Sequence, residues 1–198
     1  MAMTTSKMLP LGHKAANFSL PDTDGNTVSL ADYEGSKGLV VAFICNHCPY
    51  VIHIAAQLAK VAKEYQKKGI AFVAINSNDI EQYPDDDMPH MIEEKRTRQY
   101  PFVYLLDESQ DVAKAYSAAC TPDIYLFNSE QELVYRGQFD ASRPLRISSG
   151  NYDSSKNQAT GMDLIHAMDA LLDGHHIDAV QPPSMGCNIK WKAGNEPN

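Results

Sequence analysis

The chain has 198 residues, 43% of them hydrophobic and 21% charged, a globular balance that excludes a disordered or collagen-like chain. That length suggests one domain, large enough to bury roughly 70% of its unfolded surface without a metal or a disulfide. Seventeen Lys and Arg against twenty-five Asp and Glu give a formal net charge of −8. This is the wrong sign for a general nucleic-acid or anionic-membrane binder.

The first twelve residues carry one lysine and no apolar core of signal-peptide length, which argues against export and for a cytoplasmic protein. No apolar run approaches the ~20 residues of a membrane span. Residues 17–20 and 27–30 flank Asp24-Gly25 and predict a small hairpin. Residues 38–44 (GLVVAFI) are a continuous apolar, β-branched run, as expected of a strand covered on both faces. From Val51 the apolar positions Ile54, Ala55, Leu58, Val61, Ala62 and Tyr65 form one helical stripe. Lys67-Lys68-Gly69 ends that helix, and residues 70–75 (IAFVAI) predict a second buried strand. Strand, helix and strand of these lengths make a right-handed parallel unit.

Residues 83–90 (YPDDDMPH) read as a solvated acidic loop, because Asp85-Asp86-Asp87 lack the alternating ligand spacing of a calcium loop. Residues 107–116 predict a short helix. Residues 123–127 and 132–139 predict two strands joined at Asn128-Ser129 as an antiparallel hairpin. Residues 140–157 form a long polar loop whose arginines are expected to be exposed, and residues 160–172 a final amphipathic helix. The division is a domain over residues 1–180 and a tail over 181–198 that packs on it. The tail opens with Pro182-Pro183 and carries Cys187 and Trp191.

Four cysteines in a chain without an export signal point to metal binding or redox chemistry rather than a stapled scaffold. Cys45-Asn46-His47-Cys48-Pro49 falls where the first buried strand gives way to the helix. A thiol attacks as its thiolate, and a helix N-terminus favours that charge. Pro49 suits the first helical position, which puts Cys48 at or beside the cap and leaves Cys45 at the strand end. A CxxC at a strand–helix junction inside a βαβ unit is a redox signature.

With Thr121-Pro122 leading into a strand, and a closing hairpin and helix, these features resemble the thioredoxin fold. They most resemble its redoxin branch, the alkyl hydroperoxide reductase and thiol-specific antioxidant superfamily, nearest a peroxiredoxin-like group with the same cysteine motif and a C-terminal cysteine. Residues 12–18 (GHKAANF) and 20–25 (LPDTDG) resemble that branch's N-terminal hairpin, and the similarity covers roughly residues 10–175. The resemblance implies an α/β thioredoxin-like fold: a central mixed sheet flanked by helices, with an N-terminal β-hairpin. Its members carry an aromatic residue five positions before the nucleophile, and Phe43 stands five before Cys48. The second cysteine of the usual pair would fall at Val51, so the CxxC here is shifted upstream. The other register makes Cys45 the attacker and Cys48 the resolver; cap and spacing together favour Cys48. Peroxiredoxins place a Thr or Ser three residues before the peroxidatic cysteine and a proline seven before. Here those positions are Cys45 and Val41, so the orienting hydroxyl is missing from its usual place. Arg136 and Arg143 each could supply the guanidinium such enzymes use. Thr121-Pro122 resembles the family's cis-proline loop, and Cys120 before it adds a third thiol.

The expected function is a thiol–disulfide oxidoreductase or thiol antioxidant, with Cys48 as nucleophile and Cys45 as its first disulfide partner. Cys120 and Cys187 compete as resolving thiols, and His47 can act as a neighbouring cation. Substrates are oxidised protein thiols or a hydroperoxide. Electrons come from a thiol reductant such as a thioredoxin-type protein, with no cofactor and no nucleic-acid or membrane partner. Two readings of other kinds stand beside it. One is a zinc module using Cys45, His47 and Cys48 with Cys120 or Cys187; the other is a non-catalytic adaptor. Plain packing is the alternative for Cys120, tail anchoring beside Ile189 and Trp191 for Cys187, and a surface position for His53.

Overall fold

A strand covered on both faces reads as an unbroken apolar run, and the two such runs in this sequence become neighbours at the centre of the molecule. The computed structural model describes residues 3–196. Strands β1 (Met3–Thr5), β2 (Ser19–Pro21), β3 (Thr27–Ser29) and β4 (Gly38–Phe43) lead into helix α1 (Pro49–Gln66) and strand β5 (Ile70–Asn76). Helix α2 (Met88–Arg98), strand β6 (Val103–Leu106) and helix α3 (Asp111–Ala115) follow. Then come β7 (Cys120–Thr121), β8 (Asp123–Asn128), β9 (Leu133–Gly137), β10 (Leu145–Ser148) and β11 (Asn151–Asp153), with helix α4 (Met162–Leu172) and strand β12 (Met185–Asn188) last.

The central sheet has the order β6-β5-β4-β8-β9. β4 runs parallel to β5 from Gly38↔Ile70 to Phe43↔Ile75, and β5 parallel to β6, whereas β8 is antiparallel to β4 and to β9. The parallel unit and the closing hairpin expected from the sequence are both present. Successive residues of β4 feed opposite faces, as a period of two requires. Val40 and Ala42 join the cluster of Ile54, Leu58 and Val61 from α1 with Leu164 and Met168 from α4. Val41 and Phe43 join Val112 of α3, Tyr116 and the N-terminal residues Phe18 and Leu30 on the other face. Each Val, Leu, Ile, Met and Phe among them contributes about 1.5–3 kcal/mol by burial. A mixed sheet with helices on both faces, preceded by the β2–β3 hairpin, is a thioredoxin-like fold. Among the described residues no helix is long and apolar enough to cross a membrane.

Two local expectations are corrected. Residues 83–90 are not a solvated loop: a 3-10 turn over Pro84–Asp86 leads into α2, and Asp86 is completely buried. Asp87 caps α2 by accepting from the His90 N–H at 3.0 Å. The helix escapes pattern reading because Met91 is its one buried residue. Residues 140–157 hold the β10–β11 hairpin, and Arg143 within them is partly buried, donating to Asp140 O, Ser142 O and Gln138 Oε1. The tail forms a second, three-stranded sheet in the order β1-β12-β7, whose strands are too short to leave a period.

Candidate active site

β4 delivers the chain to the top of the sheet, and the residues after it turn before α1 begins. Cys48 is the N-cap of α1 with extended backbone (φ −71°, ψ 120°), and Pro49 opens the helix. The first turn of α1 contains no acidic side chain, so its positive end faces Cys48 uncompensated. The Thr121-Pro122 bond is cis. As a thiol, Cys48 donates to Thr121 O at 3.1 Å, while Cys45 Sγ lies 3.5 Å from Thr121 Oγ1. β12 runs along β7 with Cys187 opposite Thr121 and Asn188 opposite Cys120. Gly186 makes that approach possible, since a Cβ there would collide with Thr121 O. Cys45 and Cys187 therefore both stand against Cys48, and all three are buried with no disulfide among them.

The electrostatics separate them. Burial opposes ionisation of Cys48, but it is outweighed by hydrogen bonds from the Cys187, Cys45 and Thr121 side chains and the Cys187 backbone, which hold the thiol well below its usual range. Burial, and then the proton Cys45 holds toward Cys48, push the Cys45 thiol well up. Cys187 is raised by its hydrogen bond to Cys48 and then by burial. Cys120 is raised by burial and the charge of Asp123, and its sulfur donates to Pro122 O at 3.4 Å rather than to Cys48.

His47 sits 2.7 Å from Asp86 Oδ2, with a ring nitrogen within 4.8 Å of Cys45 Sγ, and stacks on Tyr83 with ring centroids 5.8 Å apart. The Asp86 partner raises its pKa against the pull of burial. Asp86 also accepts from the Asn46 N–H at 2.8 Å and Asn78 Nδ2 at 2.7 Å. It thereby fixes the turn that carries Cys45 and Cys48. Sequence reasoning missed this residue, because its partners arrive from two other segments and leave no local spacing.

The zinc set of Cys45, His47 and Cys48 with Cys120 or Cys187 is not what the fold assembles. Among the described residues the group with converging donor atoms is Cys45, His47 and Asp86, within 4.8 Å of one another. Within it the imidazole is already committed to the carboxylate. His53, expected at the surface, is buried with Nε2 2.9 Å from Ser142 Oγ, because residues 140–144 fold over that side of α1. Arg136 braces the tail, donating to Leu9 O and Gln181 Oε1. Arg143 stands nearer, lining a small cavity with Tyr50, Pro122 and Met185.

Residues 11–136 match the AhpC/TSA family. Over 125 residues the sequence is 27% identical to the thiol-disulfide oxidoreductase ResA of Halalkalibacterium halodurans, covering 62% of this chain and 65% of that relative. The match thus spans slightly less than two thirds of the relative's own length. A crystal structure of a conserved protein from Geobacillus kaustophilus superposes with a TM-score of 0.89 and 47% identity, covering 97% of each chain. The thioredoxin domain of a thiol-disulfide oxidoreductase from Bacteroides vulgatus superposes with a TM-score of 0.56 and 23% identity, over 65% of this chain and 88% of that one. That second likeness shows the fold alone.

Proposed function

The chain belongs to the AhpC/TSA family, and on that footing we propose that it is a thiol-based oxidoreductase with Cys48 as nucleophile and Cys187 as resolving thiol. The observation that carries this reading is the convergence on one sulfur of a helix N-terminus and hydrogen bonds from Cys187, Cys45 and Thr121. A thiolate so placed attacks an oxidised sulfur or a peroxide oxygen and becomes a mixed disulfide or a sulfenic acid. A second thiol then displaces the leaving group, and a dithiol reductant of thioredoxin type returns two electrons. Such a cycle runs in a reducing compartment, the cytoplasm, and draws on no cofactor.

Cys45 ranks first as resolver only if closure of an open chain sets the cost. In the folded protein β12 already holds Cys187 across from Thr121, so the 138 residues between Cys48 and Cys187 add nothing to that cost. Cys187 also offers Cys48 both its thiol and its backbone N–H. Turnover with hydrogen peroxide, an alkyl hydroperoxide and insulin disulfides, with Cys48→Ser as control, tests the nucleophile. Loss of every activity in the variant is expected. Peptide mapping after limiting oxidant is expected to yield a Cys48–Cys187 cross-link. A dominant Cys45–Cys48 bridge would return the resolving role to Cys45.

A further inference from the structure

We propose that the cavity between the 3-10 turn leading into α2 and the end of β12 binds a small organic anion, whose carboxylate or phosphate group is held by Lys190 and His47. The site uses none of the four thiols and is independent of which of them is the nucleophile. The cavity has a volume of about 530 Å³, within the range of small-molecule sites, and its lining includes His47, Tyr83, Pro84, Asp85, Asn188 and Lys190.

The first ground is a buried charge without a counter-ion. Lys190 is only 8% exposed, and its ammonium donates to Asn188 O at 2.9 Å and to Asn188 Oδ1 at 3.3 Å, both neutral acceptors. Among the described residues no carboxylate pairs with it. A buried lysine is ordinarily paired, because its charge has been taken out of water. The backbone that carries it is fixed on both sides. Lys190 N donates to Asn78 Oδ1 at 2.8 Å, and Asp79 N donates to Lys190 O at 2.7 Å.

The second ground is that another cation faces the same space. His47 Nδ1 is taken by Asp86 Oδ2, which leaves Nε2 as the ring nitrogen available to a ligand. The Lys190 charge opposes protonation of His47, so two like charges line one cavity and an anion there relieves both. One buried carboxylate sets both walls. Asp86 holds His47 directly, and it accepts from Nδ2 of Asn78, the amide whose oxygen receives Lys190 N. Donors fixed in advance lose little freedom on binding. Tyr83, stacked on His47 and 37% exposed, and Pro84 offer an apolar surface to the organic body of the ligand. Asp85 also lines the cavity and opposes the anion, but it is exposed and its charge is screened by solvent.

The test titrates the full-length reduced protein with phenyl phosphate and with benzoate at constant ionic strength, read by isothermal titration calorimetry. The two probes separate a phosphate from a carboxylate ligand, and benzyl alcohol is the neutral control. Saturable one-to-one binding of at least one anion is expected, with none of the alcohol. Lys190→Met keeps the stem and removes the charge; it is expected to weaken binding at least about tenfold, as loss of a charged donor does, with Lys190→Arg retaining most of it. Asp85→Asn, a change at an exposed side chain, is expected to tighten binding about twofold to fivefold by removing a like charge. No saturation by either anion up to about 10 mM overturns the proposal. So does benzyl alcohol binding as tightly as benzoate, or equal affinity in wild type and Lys190→Met. If Lys190→Met fails to fold by circular dichroism, Asp85→Asn decides, and a variant that binds no tighter than wild type overturns the proposal.

Discussion

At Cys48 burial alone would push the pKa up, and the thiol is instead held well below its usual range because Cys187, Cys45 and Thr121 aim donors at it. Ultraviolet thiolate absorbance should therefore show a step below the ordinary thiol value of about 8.5 that disappears in Cys48→Ser. Cys187→Ala should move the step upward, since it removes the largest of the favourable hydrogen bonds. Asp123, completely buried behind the cis-proline, is shifted oppositely: burial raises its carboxyl to about 6, despite hydrogen bonds from Ala119 N and Tyr125 Oη. An acid with a raised folded pKa binds more protons in the native state, so it favours folding at low pH. Stability should fall by about 3 kcal/mol as pH rises from roughly 4 to 6, and Asp123→Asn should flatten that slope in urea titrations. Asp86 is a third such position. Asp86→Asn keeps one acceptor oxygen and sets an NH2 against the donors that the other oxygen served, either Asn46 N or those of Asn78 and His47, and urea unfolding should record a loss of about 1–3 kcal/mol.

Among the elements, β12 has the least regular sequence and the most specific seat. Its C-terminal anchor is Gln110, a buried side chain that donates to Ser77 O and Lys190 O and accepts from Lys192 N at 2.8 Å. Gln110→Ala should raise amide hydrogen exchange in β12 and at Lys190 and Lys192 while leaving β4 protected. The tail is held by these polar bonds, whereas β4 is held by both faces of the core. Equal loss of protection in β4 would mean that the tail and the sheet unfold as one unit. Helix α2 shows the complementary case. It carries an exposed Arg96–Glu93 pair and a half-buried Arg98–Glu94 pair, which hold a short helix together but add little to the fold.

For the molecule as a whole, oxidation changes the covalent topology. A Cys48–Cys187 bond would tie the tail to α1 across most of the chain and restrict the unfolded state by on the order of 3–5 kcal/mol. Calorimetry of peroxide-oxidised against reduced protein should show Tm higher by roughly 10 °C, with no shift in Cys187→Ala. The elements on which the site is built were legible without coordinates. Unbroken apolar runs at 38–44 and 70–75 mean strands buried on both faces, and the 3.6-residue stripe from Val51 means a helix packed on them. Pro49 after Cys48 marks the cap, because only a helix start accepts a proline with its N–H missing. These are local consequences of side-chain shape and periodicity. The seat of β12 on Thr121, the burial of Asp86 and the arrival of Cys187 at Cys48 carry no such signature. Each joins groups far apart in the chain, and each is held by single hydrogen bonds rather than by a repeated apolar face. The sequence alone thus marked Cys48 as the proposed nucleophile and determined the scaffold that carries it. Which groups stand around that sulfur, and what covers it, was decided by tertiary structure, because only folding brings residues 48, 86, 121 and 187 to one place.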